Sequence, residues 1–300
     1  MVGAGSIGSL YAAHVATVCD VTVVTRRPEH AEALSTEGLR VSGRHDFTAR
    51  ITAAADPGEL PEPDLVIVAT KTTELESAAA VLEGHFPAAT VMTVQNGLGA
   101  EEIVRARGSW PLISAVTFMS GTKHSDTHVE YILDTETWVG PYEDTSYERV
   151  EEVAALLADS GLRVEALPDL RPAQWSKLIF NATVNGVAAL TGLPHVAAFA
   201  DESEPWSLGR LVHALVDEGK AVAAANGVEL HDDPWEMNVL ATKRGSAHYP
   251  SMLEDVTAAR PTEVELINGS LVRAGEAAGV AVPLQNAVYR LVQAREAAYT

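Results

Sequence analysis

Apolar residues recur along this chain in two rhythms, and the change between them divides it. Short, nearly continuous apolar runs fall at 21–25, 64–69, 90–94, 112–118, 137–140 and 162–167. Runs of this length bounded by polar turns suit strands buried on both faces, as in a parallel sheet. Helical spacing over 9–18, from near Pro28, and over 147–158 alternates with them. This order predicts an α/β domain. Pro168-Asp169-Leu170-Arg171-Pro172 breaks the pattern, so domains are expected at 1–168 and 169–300. From Ala173 onward the spacing is helical and an all-α domain follows. One helix carries Lys177 and stops near Thr191-Gly192-Leu193-Pro194; another spans 206–226 and ends at Asn226-Gly227. A loop is expected over 247–253. A long helix over 262–278 then stops at Gly279 and carries Glu263 in its first turn, and Pro283 opens the last helix.

Gly3, Ala4, Gly5, Ser6, Ile7 and Gly8 form a G-x-G-x-x-G pattern ahead of a helix. Such glycines allow a tight turn and close approach of the backbone to a pyrophosphate at the helix N-terminus, so a Rossmann-type dinucleotide-binding domain is expected. A full strand should precede Gly3, yet only Met1 and Val2 stand there, so that strand is either cut short or begins upstream. About 20 residues past the glycines an NAD site wants an acidic residue. Here the chain reads Thr25-Arg26-Arg27-Pro28. A guanidinium at Arg26 suits a 2′-phosphate and favours NADPH; a solvated basic turn is the other reading. Lys71 and Asn96, the latter within Gln95-Asn96-Gly97-Leu98-Gly99, follow the next two strands, where a cofactor is expected on such a sheet. Gly121-Thr122 is expected in a loop.

The stretch Lys177-Leu-Ile-Phe-Asn181-Ala-Thr-Val-Asn185 places a lysine and two asparagines four residues apart. Each such step turns about 40° around a helix, so the three share a stripe. Leu178, Ile179, Phe180 and Val184 around them belong to a buried helix. An ammonium and two carboxamides are costly to bury without partners. A groove offering a proton donor and two amide clamps to a small molecule answers that cost; a surface lysine with two helix-interior asparagines is the bland alternative.

Three hundred residues suit two domains. The balance of 41 acidic against 21 basic residues argues against a nucleic-acid surface. No stretch approaches the roughly 20 apolar residues of a membrane span, and the start lacks signal-peptide features. Cys19 is the only cysteine, which fits a reducing cytoplasm.

Taken together, Gly3–Gly8, Lys71, Gln95-Asn96-Gly97, Lys177-xxx-Asn181-xxx-Asn185, Pro250-Ser251-Met252-Leu253-x-Asp255 and Thr262-Glu263-xxx-Ile267-Asn268-Gly269 resemble the ketopantoate reductase (2-dehydropantoate 2-reductase) family, in order and approximate spacing, across nearly the whole chain. The resemblance implies NADPH-dependent reduction of 2-dehydropantoate to (R)-pantoate, a step of pantothenate and coenzyme A synthesis. It implies Lys177 as general acid and Glu263 as the carboxylate near lysine and cofactor. Asn181, Asn185 and Ser251 would hold the substrate, Asn96 would touch substrate and cofactor, and Lys71 and Thr122 would contact the cofactor. His195 stands where some members have a substrate-touching asparagine, and His248 replaces another polar amide; both also suit a different branched 2-oxo acid. A third reading, an NADPH-binding regulatory protein without turnover, gives the lysine no work. The implied partner is a small 2-oxo acid, with no metal, nucleic acid or membrane, and with room for a homodimer.

Overall fold

In a computed structural model, which describes residues 1–243 and 249–299, the chain divides into two compact units. The first comprises Met1–Gln95 and Ala100–Leu170; the second comprises Asn96–Gly99 and Arg171–Thr300. Among the described residues no helix is long and apolar enough to cross a membrane.

In the first unit the elements run α1 (Ser6–Val15), β1 (Thr22–Val24), α2 (Pro28–Glu37), β2 (Leu39–Gly43), β3 (Phe47–Ala49), β4 (Thr52–Ala54), β5 (Leu65–Val68), α3 (Thr72–Leu82) and β6 (Thr90–Thr93). They continue with α4 (Ala100–Arg105), β7 (Leu112–Thr117), β8 (Ser120–Ser125), β9 (His128–Leu133), β10 (Thr137–Tyr142), α5 (Tyr147–Asp159) and β11 (Val164–Ala166). β5, β6 and β7 pair in parallel, β10 pairs antiparallel to β7, and β11 is parallel to β10. β4 and β1 pair in parallel beyond β5. Val2 bridges Val24 of β1 and Val68 of β5. The strand expected before Gly3 is therefore present as one bridging residue, held by Val2 N to Ile67 O and Ala69 N to Val2 O, both 2.8 Å.

Alternation of side chains through these strands sorts two cores. Ile67, Met92 and Ile113 pack with α1 and α5, whereas Val66, Val68, Val91 and Leu112 pack with α3 and α4. The α1 helix begins at Ser6 and ends at Val15, earlier at both ends than the 9–18 expected. Gly5 opens it, and the Thr17 hydroxyl takes the His14 carbonyl at 2.7 Å in place of a further helical turn.

A second sheet, in the order β3-β2-β9-β8, covers α1. Its inward residues, Val41, Val129 and Tyr131, are buried with Leu10 and Tyr11. Gly121 and Thr122 lie in β8 of this sheet, which corrects the loop expected there. One face of β8 is wet, so its residues are polar and lack an apolar run.

The second unit is helical, with α6 (Arg171–Thr191), α7 (Leu208–Ala225), α8 (Pro234–Thr242), α9 (Ser251–Thr257), α10 (Ser270–Ala278) and α11 (Pro283–Glu296). α6 is buried nearly all round, which explains its apolar residues on every side. Fully buried Asn268 and Gln285 brace it: Asn268 Nδ2 donates to Ala182 O at 2.7 Å and Gln285 Nε2 to Thr183 Oγ1 at 3.3 Å.

Two expectations change here. Ser251 to Leu253 form the first turn of α9, started by Pro250 at φ −60°, not a loop. Residues 244–248, with Ala247 and His248, lie outside the described residues. The long helix over 262–278 instead starts as a wide π turn, Glu265–Gly269, leading into α10, so Glu263 precedes the first turn. Leu98 N donates to Leu266 O at 3.0 Å and the Ser270 hydroxyl to the same oxygen at 2.6 Å, and these donors stand in for the regular helical ladder.

Candidate active site

Local constraints shape the glycine-rich turn of the first unit. Gly3 stands at φ +92°, and a Cβ there would come within 2.9 Å of the Thr70 amide nitrogen. A Cβ on Gly8 would lie 2.2 Å from the Gly3 carbonyl oxygen. Only glycine at both lets α1 start this close to the strand ends. At Gly5 a Cβ would meet nothing within 4 Å, so space is open beside the turn formed with Ala4, Ser6 and Ile7. The first turn of α1 has neither a side-chain cap nor an acidic residue. Its amide donors and the positive end of its dipole are thus available to an anion. The Thr70 hydroxyl beside Gly3 is buried without a partner among the described residues. Open space, uncapped amides and an orphaned hydroxyl fit a pyrophosphate.

Two arginines follow β1 with different surroundings. Arg27 holds both oxygens of Asp126, at 2.6 and 2.7 Å. Arg26 is 78% exposed and meets one oxygen of Glu74 at 2.6 Å. On β8, Gly121 faces Leu10 of α1, and Lys123, two residues on, reaches the Ala4 carbonyl oxygen at 2.6 Å. Thr122 between them is exposed on the other face. Lys123 Nζ also lies 3.3 Å from His30 Nε2. Burial, then the Lys123 charge, hold His30 below the usual histidine value, and burial lowers Lys123. Lys71 is the exposed residue that opens α3. Gln95 Nε2 donates to the carbonyls of Val68 and Thr70, at 2.9 and 3.0 Å, closing the ends of these strands. Thr70 and Lys123 are the residues here that sequence reasoning missed. An alternation count through the polar segment 120–125 would have paired Lys123 with Gly121.

In the second unit the stripe on α6 is buried: Lys177 is 9%, Asn181 8% and Asn185 5% exposed. Burial pushes the Lys177 ammonium down to about 8, and the charge of Glu263 draws it back up. Glu263 in turn accepts from Asn96 Nδ2 at 2.9 Å. The Asn96-Gly97-Leu98 segment is seated on the π turn, where a Cβ on Gly97 would lie 1.9 Å from Leu266 O. The fold thereby brings a cation, a carboxylate and a carboxamide together from three separate stretches of chain. Asn185 Oδ1 accepts from Met252 N at 3.3 Å, tying the stripe to the exposed Ser251 at the start of α9. Asn181 makes no hydrogen bond through its carboxamide among the described residues.

His195 is 3% exposed, 2.8 Å by Nε2 from Asn238 Oδ1, and edge-on to Phe199. Asn238 Nδ2 donates to Phe199 O at 2.9 Å, which turns Oδ1 toward the ring. Nε2 is therefore the donor in the bond to Asn238 Oδ1. Asn238 was not legible in the sequence, because nothing in 234–242 sets it apart. Among the described residues no cluster of metal ligands occurs.

Comparison with known proteins places these features in context. A family model described as Ketopantoate reductase PanE/ApbA matches residues 1–144, and one for the Ketopantoate reductase PanE/ApbA C terminal matches residues 169–296. A 2-dehydropantoate 2-reductase of Archaeoglobus fulgidus is 30% identical over 296 residues, 99% of this chain and 97% of the relative. The crystal structure of 2-dehydropantoate 2-reductase from Methylococcus capsulatus is 30% identical with a TM-score of 0.88, covering 100% of this chain and 96% of that one. D-mandelate dehydrogenase in complex with NADH and anilino(oxo)acetate, 22% identical with a TM-score of 0.88 and coverage of 100% and 99%, shares the fold.

Proposed function

The chain belongs to the ketopantoate reductase PanE/ApbA family, and from that premise we propose that it reduces 2-dehydropantoate to (R)-pantoate with NADPH, the reductant of that family. The carrying observation is a buried Lys177 ammonium beside the charge of Glu263. When bound, NADPH supplies the hydride to the ketone carbon. Lys177 then gives its proton to the carbonyl oxygen, where negative charge builds. Glu263 sustains the charge on Lys177 and orients Asn96 by accepting from Nδ2, which leaves Asn96 Oδ1 as an acceptor. Asn181, Asn185 and Ser251 hold the hydroxyl and carboxylate of the substrate, and His195 stands in the place of an amide. The first unit binds the nucleotide through Gly3 to Gly8, Arg26, Lys71 and the backbone at Thr122, whose side chain faces away from α1; the second unit, which includes Asn96, binds the substrate. The proposed setting is the cytoplasm, in keeping with Cys19 as a free thiol.

Loss of NADPH absorbance with ketopantoate, set against a panel of branched 2-oxo acids, tests the reading. Ketopantoate is expected to lead in kcat/KM by at least about tenfold, the usual worth of one or two misplaced groups in a pocket. A different acid in the lead would reassign the substrate, and no oxidation with any of them would point to a protein that only binds. A second expectation concerns the nucleotide. Arg26→Ala should weaken NADPH about tenfold or more, as loss of a charge-assisted contact does, and NADH little. Equal weakening of both would remove Arg26 from recognition of the 2′-phosphate.

A further inference from the structure

Arg26 and Arg27 are neighbours in sequence, yet their carboxylate partners differ in a way that bears on cofactor choice. Arg27 is the more engaged: both oxygens of Asp126 lie within 2.7 Å of its NH2 group, and Glu29 lies 3.4 Å from its NH1. Arg26 has a single carboxylate contact, to Glu74 Oε1, and most of its guanidinium is exposed. It is therefore the arginine with more donors to spare for a 2′-phosphate. Glu74, 40% exposed, stands in the first turn of α3, directly beyond β5. Next to the acceptor of a 2′-phosphate there is thus a fixed negative charge.

We infer that Glu74 is a specificity-determining residue, which sets how far the site prefers the 2′-phosphate of NADP over the 2′-hydroxyl of NAD. The inference rests on the reading of the first unit as an NADP site and deepens it. Two chemistries meet at one guanidinium. A phosphate brought to Arg26 comes within a few ångströms of the Glu74 carboxylate, and like charges at about 4 Å repel by a severalfold change in binding even in water. A ribose hydroxyl carries no such charge and can donate to the same carboxylate, the role an acidic residue plays in NAD sites. The pair lets the chain accept either nucleotide, with Arg26 weighting the choice toward NADP and Glu74 drawing it back.

Dissociation constants for NADP⁺ and NAD⁺, measured by titration calorimetry on the full chain and on Glu74→Gln, decide the matter without any turnover. Glu74→Gln is expected to tighten NADP⁺ about three- to tenfold and to leave NAD⁺ within about twofold or slightly weaker. Because both groups are exposed, the gain for NADP⁺ should shrink as salt rises toward about 1 M, where the Debye length is about 3 Å. The substitution removes one surface charge, and thermal melting of the variant checks that its fold is kept. An unchanged ratio of the two constants, or equal tightening of both, would overturn the role of Glu74 while leaving the cofactor reading intact. A wild-type chain that binds neither nucleotide would overturn the cofactor reading, and this inference with it.

Discussion

Lys177→Ala is expected to lower kcat for ketone reduction by at least about 100-fold, the lower range for a positioned general acid, with little change in NADPH affinity. The loss should fall on kcat and kcat/KM together, because the proton transfer is made only as charge develops on oxygen. Burial is what suits this lysine to the proposed proton transfer. An ordinary lysine ammonium near pH 7 is a poor acid, whereas one held at about 8 sits close to the operating pH, where acid catalysis is most effective. A pH profile follows with a definite sign. Reduction needs the protonated amine, so turnover should hold steady below about 8 and fall as pH rises through that value. Glu263→Gln removes the charge that supports the ammonium, so the falling limb should move to lower pH. A variant Lys177→Ala with near-normal turnover, or a wild-type profile flat to pH 10, would take the lysine out of the proton step.

The second large effect is expected at Gly97. Its φ of +96° is costly for alanine, and a Cβ would lie 1.9 Å from the Leu266 carbonyl oxygen, a backbone atom that cannot step aside without moving the π turn. Gly99 supplies the internal control, with φ +103° but only Leu266 Cδ2 at 3.6 Å. Gly99→Ala should cost about 1–2 kcal/mol by backbone strain. Gly97→Ala should cost about 3 kcal/mol or more in denaturant unfolding, as strain and clash add. It should also lower turnover at least about tenfold, because a shift there breaks the alignment of Asn96 with Glu263. Equal destabilisation by the two alanines would show that the close approach to Leu266 carries no weight.

The contrast between what was and was not legible in the sequence follows the range of the interactions. β5 and β6 stood out because both faces are buried and an apolar run fills β5 and, between two buried threonines, the middle of β6. The stripe on α6 stood out because four-residue spacing on one helix needs no knowledge of the rest of the fold. The second sheet did not, since its strands alternate: only Leu39 and Val41 are buried in β2, and only Val129 and Tyr131 in β9. The π turn was invisible for another reason. Residues 262–278 read as one helix, and the Leu266 carbonyl there is taken both by Leu98 N, far off in sequence, and by the Ser270 hydroxyl. The Asn96–Glu263 bond spans 167 residues and leaves no local trace. Likewise Asn238 gains meaning only once the fold sets it against His195.

The wide turn over Glu265–Gly269 also constrains how this chain can vary in length. Each residue of a helix advances the phase by about 100°. Removing a single amino acid from the turn would tighten it into regular helix and rotate everything upstream by that amount. Glu263 would then face another quarter of the axis and lose both Asn96 and the lysine charge. A deletion that looks harmless in an alignment would dismantle the electrostatics around the Lys177 amine.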